Sequence, residues 1–326
     1  MIRHFVSILR LIRFPNLLII AATQYAMRYL VMIPLLPSET FMLQFGDLQF
    51  SLLVLSTIFI AAAGYIINDY FDTQADLINK PDRVVVGVKI GRRVAMTLHA
   101  MLNIIGVGLG VYLAFYIKLP ALSMVFILAT GLLWFYSTNY KRQFLVGNLS
   151  VAFLTGLVPL MVVLFEIPLL NEKYGQLMLE SNASFNYIIA WVGGFSFFAF
   201  LTTMIREVVK DTEDFEGDRA YGMKTVPIVL GTKWTKVLIV SLVALTIFTL
   251  VYLLVKYILF SVQPADYISL GYFALFQVIP LLALVFLVIR ARDKRDYHRA
   301  STLIKLIMLT GILYSGMIFY LVNFKY

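Results

Sequence analysis

Residues 51–76 read SLLVLSTIFIAAAGYIINDYFDTQAD. An apolar run ends abruptly in Asn68 and Asp69, and Asp72 and Asp76 follow within eight residues. A helix needs about twenty predominantly apolar residues to cross a bilayer, so this stretch reads as a membrane span with acids at its end. Ionised carboxylates are costly there unless they line a cavity or bind something. The acids recur. Residues 211–218, DTEDFEGD, repeat Asp-x-x-Asp-x-x-x-Asp, so Asp69, Asp72 and Asp76 align with Asp211, Asp214 and Asp218. These six are more than half of the chain's Asp, and two matched sets point to one polyanion bridged by divalent cations.

The rest of the chain fits a membrane setting. Hydrophobic residues make up 61% and charged residues 14%, with a mean hydropathy of +0.86. A soluble domain carries about a quarter charged residues, so the chain is expected to be an integral membrane protein. It has no cysteine, which excludes disulfides, thiolate nucleophiles and cysteine metal sites. His4, His99 and His298 are far apart, which argues against a histidine metal centre or a Ser-His-Asp hydrolase.

Nine spans are expected, at about 15–36, 49–67, 94–117, 120–137, 145–168, 186–205, 234–257, 268–290 and 302–323. Residues 1–14 place Arg3, Arg10 and Arg13 among Phe5, Ile8, Leu9, Leu11 and Ile12, a basic amphipathic pattern suited to the membrane surface. No small-residue cleavage site marks it as a signal peptide. The fold class is therefore all-α integral membrane: nine transmembrane helices in a bundle, one domain over 1–326. Two cytoplasmic aspartate-rich cap loops, 68–93 and 206–233, carry the acids.

Charge orients the chain. The N-terminus, the loops after spans 2, 4, 6 and 8 and the span ends that border them hold 22 of the 27 Lys and Arg. Basic residues stay in the cytoplasm, which places the N-terminus and both acidic clusters there and the C-terminus opposite.

On a helix, Asn68, Asp72 and Asp76 recur every four residues on one face, with Asp69 one position round. Carboxylates so close repel one another unless a cation joins them. Magnesium suits the site, because it is hard, octahedral and usually shared between carboxylates and substrate phosphates. Asp211, Asp214 and Asp218 offer a matching site. Basic residues flank both, Lys80 and Arg83 beside the first, Arg206, Lys210, Arg219 and Lys224 around the second. Acids for metal and bases for phosphate oxygens together describe a diphosphate pocket. Arg28, about 20 Å along the first span from Pro15 at 1.5 Å per residue, is a further functional candidate as an intramembrane cation, with Gln24 as a candidate partner. Lys141 and Arg142 read by charge alone as ordinary cytoplasmic-side residues.

At this point the residues match a known pattern. The chain resembles the UbiA superfamily of intramembrane prenyltransferases, whose first motif, Asn-Asp-x-x-Asp-x-x-x-Asp, is read here as NDYFDTQAD at 68–76, followed by INKPDR at 78–83. The second is read as REVVKDTEDFEGDRAYGMKTVPIVLG at 206–231. RFPN at 13–16, YSTNYKR at 136–142 and Gly147-Asn148 are similar to shorter family features, and the resemblance covers the whole chain. It implies a helical bundle open laterally to lipid, with magnesium, two ions, on Asn68, Asp72 and Asp76 and on Asp211, Asp214 and Asp218. It also brings Asn16, Tyr136, Ser137, Lys141 and Arg142 into the set expected to bind diphosphate or acceptor.

The implied reaction moves a prenyl chain from a prenyl diphosphate to a membrane-associated acceptor. The run from Lys210 to Arg219 most resembles the branch that makes digeranylgeranylglyceryl phosphate, so the expected acceptor is a lipid alcohol such as geranylgeranylglyceryl phosphate. An aromatic acceptor, as in quinone biosynthesis, is the alternative. One departure is plain: many relatives follow Asn-Lys-Pro-x-Arg with Pro-x-Pro-Ser-Gly, where this chain has Val84-Val85-Val86-Gly87. An ion-coupled transporter would carry its acids near the midplane between broken helices, whereas these fall at one interface. Nothing in the chain points to nucleic acid or an obligate protein partner.

Overall fold

A computed structural model describes residues 2–36, 40–79, 84–180, 184–259 and 266–324. Among them, helices account for nearly all regular structure, and nine are long and apolar enough to cross a membrane. A short α1 (Ile2–Leu11) leads into α2 (Phe14–Leu35), which widens to a π-helix over Met27–Met32. Then come α3 (Asp47–Asn79), α4 (Arg92–Tyr116), α5 (Ser123–Thr138), α6 (Val146–Glu180) and α7 (Asn186–Glu213). The last are the short α8 (Phe215–Ala220), α9 (Val226–Leu253), α10 (Tyr267–Arg290) and α11 (Lys294–Phe324).

The helices outrun the expected spans. α3 has 33 residues, about 50 Å at 1.5 Å per residue, against a hydrocarbon core of about 30 Å. The first acidic motif is therefore not in a loop, as the sequence suggested. It lies on the last turns of α3, because no Gly or Pro stands between Asn68 and Pro81. The second begins on α7, breaks at Asp214 and resumes in α8.

The chain divides into two compact units, Met1–Lys141 with Leu157–Gly193, and Arg142–Gly156 with Gly194–Tyr326. In the first, α4 packs on α3 and α5 through glycine. A Cβ at Gly106 would meet Ile60 Cγ1 at 2.9 Å and the Ser56 carbonyl at 3.1 Å; one at Gly110 would enter the Phe126 ring. Small residues four apart let membrane helices approach closely, and Ser56 Oγ donates to the Gly106 carbonyl at 2.6 Å. The segment that departs from the family turn is a tight, buried corner. Val84, Val85 and Val86 are at most 6% exposed, and Val85 and Val86 pack with Leu11, Ile66 and Ala95. Gly87, at φ 80°, supplies the left-handed bend.

Far from that corner, Arg28 and Glu166 form a buried ion pair at 2.8 Å. Glu166 Oε1 also accepts from the backbone N–H of Phe45 at 3.1 Å, and the Arg28 guanidinium lies 4.7 Å from the Phe50 ring centre. Gln24, the partner suggested by sequence, donates instead to Thr57 Oγ1 and the Val158 carbonyl.

In the second unit, an apolar cluster joins α7, α9, α10 and α11 through residues such as Val208, Ile239, Leu284 and Ile304. Lys236 Nζ donates to the carbonyls of Ile289 and Ala291 at 3.0 and 2.6 Å, satisfying the exposed C-terminal end of α10. Asp266 caps the start of α10, accepting from the Ser269 N–H at 3.1 Å.

Candidate active site

The end of α3 gathers cations onto the first motif. Arg13 Nη2 donates to Asp69 Oδ1 at 2.9 Å, and Lys141 Nζ donates to Asp72 Oδ1, both side chains being largely buried. Arg13 joins α1 to α2 at φ 50°, an uncommon conformation for a residue with a Cβ. Its guanidinium lies 4.9 Å from the centre of the Tyr65 ring, and the Tyr65 hydroxyl accepts from Asn16 Nδ2 at 3.4 Å. Tyr136 stands close enough to Arg13 to act on its charge. Arg13, Asn16, Asp69, Asp72, Tyr136 and Lys141 thus frame one polar end of the first unit.

Not every expected residue joins it. Ser137 is fully buried, and its hydroxyl donates to the Leu133 carbonyl of its own helix at 2.8 Å. Its proton is thus committed within α5. Arg28 is also placed elsewhere. It is bonded to Asp47, the first residue of α3, while Asp69 lies 22 residues further along, about 33 Å at helical rise. It cannot touch a head group held by Asp72. Lys80 and Arg83 lie outside the described residues, as does the side chain of Asp76.

Around the second motif, Asp211 Oδ2 accepts from Asn148 Nδ2 at 2.8 Å. Glu207, one turn earlier and nearly buried, accepts from Arg206 Nη1 at 2.6 Å and has Lys210 Nζ at 4.0 Å. Asp214 has Lys294 Nζ at 4.0 Å, and Glu213 pairs with His298 at 2.9 Å. Asp218 ties the turn that follows, its carbonyl accepting from Met223 N. The Lys224 N–H donates to the Arg142 carbonyl at 2.9 Å, which anchors the segment before α6. Arg142, Arg219 and Lys224 are exposed.

The donor set fits magnesium. Asn68 Oδ1 is buried with no hydrogen-bond partner, and an unpaired buried amide oxygen costs about 1–3 kcal/mol unless something such as a hard cation takes it. Carboxylate and amide oxygens are the ligands that ion prefers. Among the described residues, no three His, Cys, Asp or Glu side chains already converge into a metal cage. Magnesium keeps waters and takes substrate phosphates rather than relying on an all-protein cage.

Sequence reasoning missed four residues of these networks. Arg13 lies within the quoted RFPN, and Asn148 within Gly147-Asn148, but neither carries a site role in the sequence pattern. Glu207 is one helical turn before Asp211, a spacing that was there to be read. Glu166 is a lone acid in an apolar run, and nothing local marks its partner.

The sequence pattern of the UbiA prenyltransferase family matches residues 31–312. The chain belongs to the UbiA prenyltransferase family. It is a multi-pass membrane protein and an intramembrane prenyltransferase. Among its relatives, the digeranylgeranylglyceryl phosphate synthase of Methanothermobacter thermautotrophicus is 34% identical over 280 residues, covering 83% of this chain and 86% of that one. The synthase of the same description from Methanobrevibacter smithii is 31% identical over 271 residues, covering 82% and 86%. Solved structures share the family fold. A digeranylgeranylglyceryl phosphate synthase superposes with a TM-score of 0.63 at 22% identity, covering 96% of this chain and 99% of that one. A UbiA homolog from Archaeoglobus fulgidus, bound to DMAPP and Mg2+, gives 0.61 at 15% identity, again over 96% and 99%.

Proposed function

We propose that this family member transfers a prenyl chain, geranylgeranyl by preference, from its diphosphate to the hydroxyl of a lipid alcohol such as geranylgeranylglyceryl phosphate. What carries the acceptor assignment is the 34% identity to a named digeranylgeranylglyceryl phosphate synthase across most of both chains. The aspartate motifs support the reaction class but do not discriminate acceptors.

Asn68, Asp72 and Asp76 would hold one magnesium ion, and Asp211, Asp214 and Asp218 a second. Bound there, magnesium would neutralise charge on the diphosphate and make it a better leaving group. Lys141, beside Asp72, adds an ammonium that donates to an oxygen of the departing diphosphate as charge grows on it. The allylic C–O bond breaks, the acceptor oxygen bonds to that carbon, and the hydroxyl proton leaves to water or to a phosphate oxygen. Apolar helices exclude water from the cation-like carbon. The excess of Lys and Arg on one side supports a cytoplasmic N-terminus and cytoplasmic acidic motifs.

The test is transfer of radiolabelled geranylgeranyl diphosphate by purified protein, with geranylgeranylglyceryl phosphate, 4-hydroxybenzoate, homogentisate or a dihydroxynaphthoate as acceptor, in magnesium and in EDTA. A magnesium-dependent ether product is expected. Label on an aromatic acid instead would keep the reaction class and overturn the acceptor. Ether product in full yield in EDTA would overturn the metal requirement.

A further inference from the structure

The two acidic motifs differ in what meets their first aspartate. Asp69 is met by the guanidinium of Arg13, and the next acid, Asp72, by the ammonium of Lys141. Asp211, which aligns with Asp69, is hydrogen-bonded instead to an uncharged amide, Asn148. An amide facing a carboxylate must present its N–H2, because its carbonyl oxygen would repel the acid. Asn148 therefore donates to Oδ2, and the other oxygen, Oδ1, keeps its lone pairs. A cationic partner would have cancelled the charge and competed with a metal for those oxygens. A neutral one fixes the carboxylate without setting a competing cation on it.

The asparagine is itself held firmly. It is the third residue of α6 and 7% exposed. Just before it, Leu145 adopts φ 61°, and the Val146 N–H donates to Phe144 at 2.8 Å, a turn that sets where the helix starts. Eight residues further on, Gly156 lies against α7. A Cβ there would stand 3.1 Å from the Ser196 carbonyl and 3.2 Å from Phe200 Cβ, so the two helices approach closely about two turns along from the Asn148–Asp211 contact. Second-layer hydrogen bonds of this kind fix a metal-binding carboxylate, and losing one typically weakens metal affinity about 10–100-fold.

We propose that Asn148 is a positioning residue for the second metal site, pinning Asp211 through Oδ2 and presenting Oδ1 to a divalent cation. The proposal rests on the reading that Asp211 binds metal, and the test separates the two. The probe is manganese(II) with inorganic diphosphate, titrated onto the full chain in detergent and followed by electron paramagnetic resonance. Unfolding temperature in EDTA is measured in parallel. Asn148→Leu keeps the size and loses the donor; Asn148→Gln keeps an amide; Asp211→Asn removes the charged ligand.

Asn148→Leu is expected to raise the manganese dissociation constant about 10–100-fold. It should raise the magnesium concentration for half-maximal transfer in step, with kcat recovering at saturating magnesium. Asn148→Gln should restore part of the affinity. A merely structural asparagine would lower the unfolding temperature in EDTA and leave the manganese titration of the folded fraction unchanged, which would overturn the proposal. If Asp211→Asn weakens manganese while Asn148→Leu does not, the positioning role falls and the metal site stands. Unchanged manganese binding in Asp211→Asn would remove the metal reading of Asp211 and the role of Asn148 with it.

Discussion

Arg28 and Glu166, 138 positions apart in sequence, meet at 2.8 Å with side-chain exposures of 3% and 0%. The pair joins α2 to α6 at the far end of α3 from the acidic motif, and it draws the backbone of Phe45 into the same network. Removing one partner of a buried pair strands the other charge and costs about 3–5 kcal/mol. Arg28→Met and Glu166→Gln should each lower the unfolding temperature in detergent markedly, and the double variant should lose less than the two together. Transfer at low temperature should keep its normal magnesium dependence. A rise in the magnesium requirement of Glu166→Gln would show that the pair reaches the site after all.

Asp72→Ala and Asp214→Ala should each abolish transfer while helix content and elution from size exclusion stay as in the parent. Neither side chain belongs to an apolar core, so the loss is chemical rather than structural. Near-normal turnover in either variant would defeat the arrangement of two magnesium ions.

Lys141→Met separates two roles of one ammonium. In the ligand-free chain it sits on Asp72; during transfer it is assigned to the departing diphosphate. Losing one such donor costs about 100- to 1,000-fold in kcat. Its removal also frees Asp72 from a competing cation, so the magnesium concentration for half-maximal activity should not rise. Steady-state kinetics against magnesium measures both.

Two glycines on α4 provide a paired test of packing. A Cβ at Gly110 would enter the Phe126 ring, whereas one at Gly108 would meet nothing within 4 Å. Gly110→Ala should destabilise by about 1–3 kcal/mol as an overpacked contact. Gly108→Ala should be neutral or stabilising by up to about 1 kcal/mol through helix propensity. Thermal unfolding of the two variants side by side is the measurement.

Much of the architecture could be read from local pattern. Runs of twenty apolar residues announce spans wherever they occur, and Asp residues at helical spacing announce a shared face. What escaped depends on distance along the chain. Glu166 looks like an isolated cost in an apolar run until Arg28 stands beside it. The extent of α3 was underestimated because hydropathy records where lipid ends, not where the helix ends. The residues through Asn79 are polar yet contain no helix breaker. Val84, Val85 and Val86 depart from the expected proline turn, and only their burial, with Val85 and Val86 against Leu11 and Ile66, explains why an apolar triplet serves at that corner. Asn148 was visible as a letter but not as a hydrogen bond.

Because the first set of acids rides on an unbroken helix, its placement obeys the geometry of a screw. One residue inserted between Ile67 and Asn68 would lift the carboxylates by only about 1.5 Å but swing them about 100° around the axis. Four inserted residues would nearly restore the heading and raise the set by about 6 Å. Descendants of this chain can therefore lengthen α3 only in whole-turn steps, and a single-codon insertion there should be more damaging than a four-codon one.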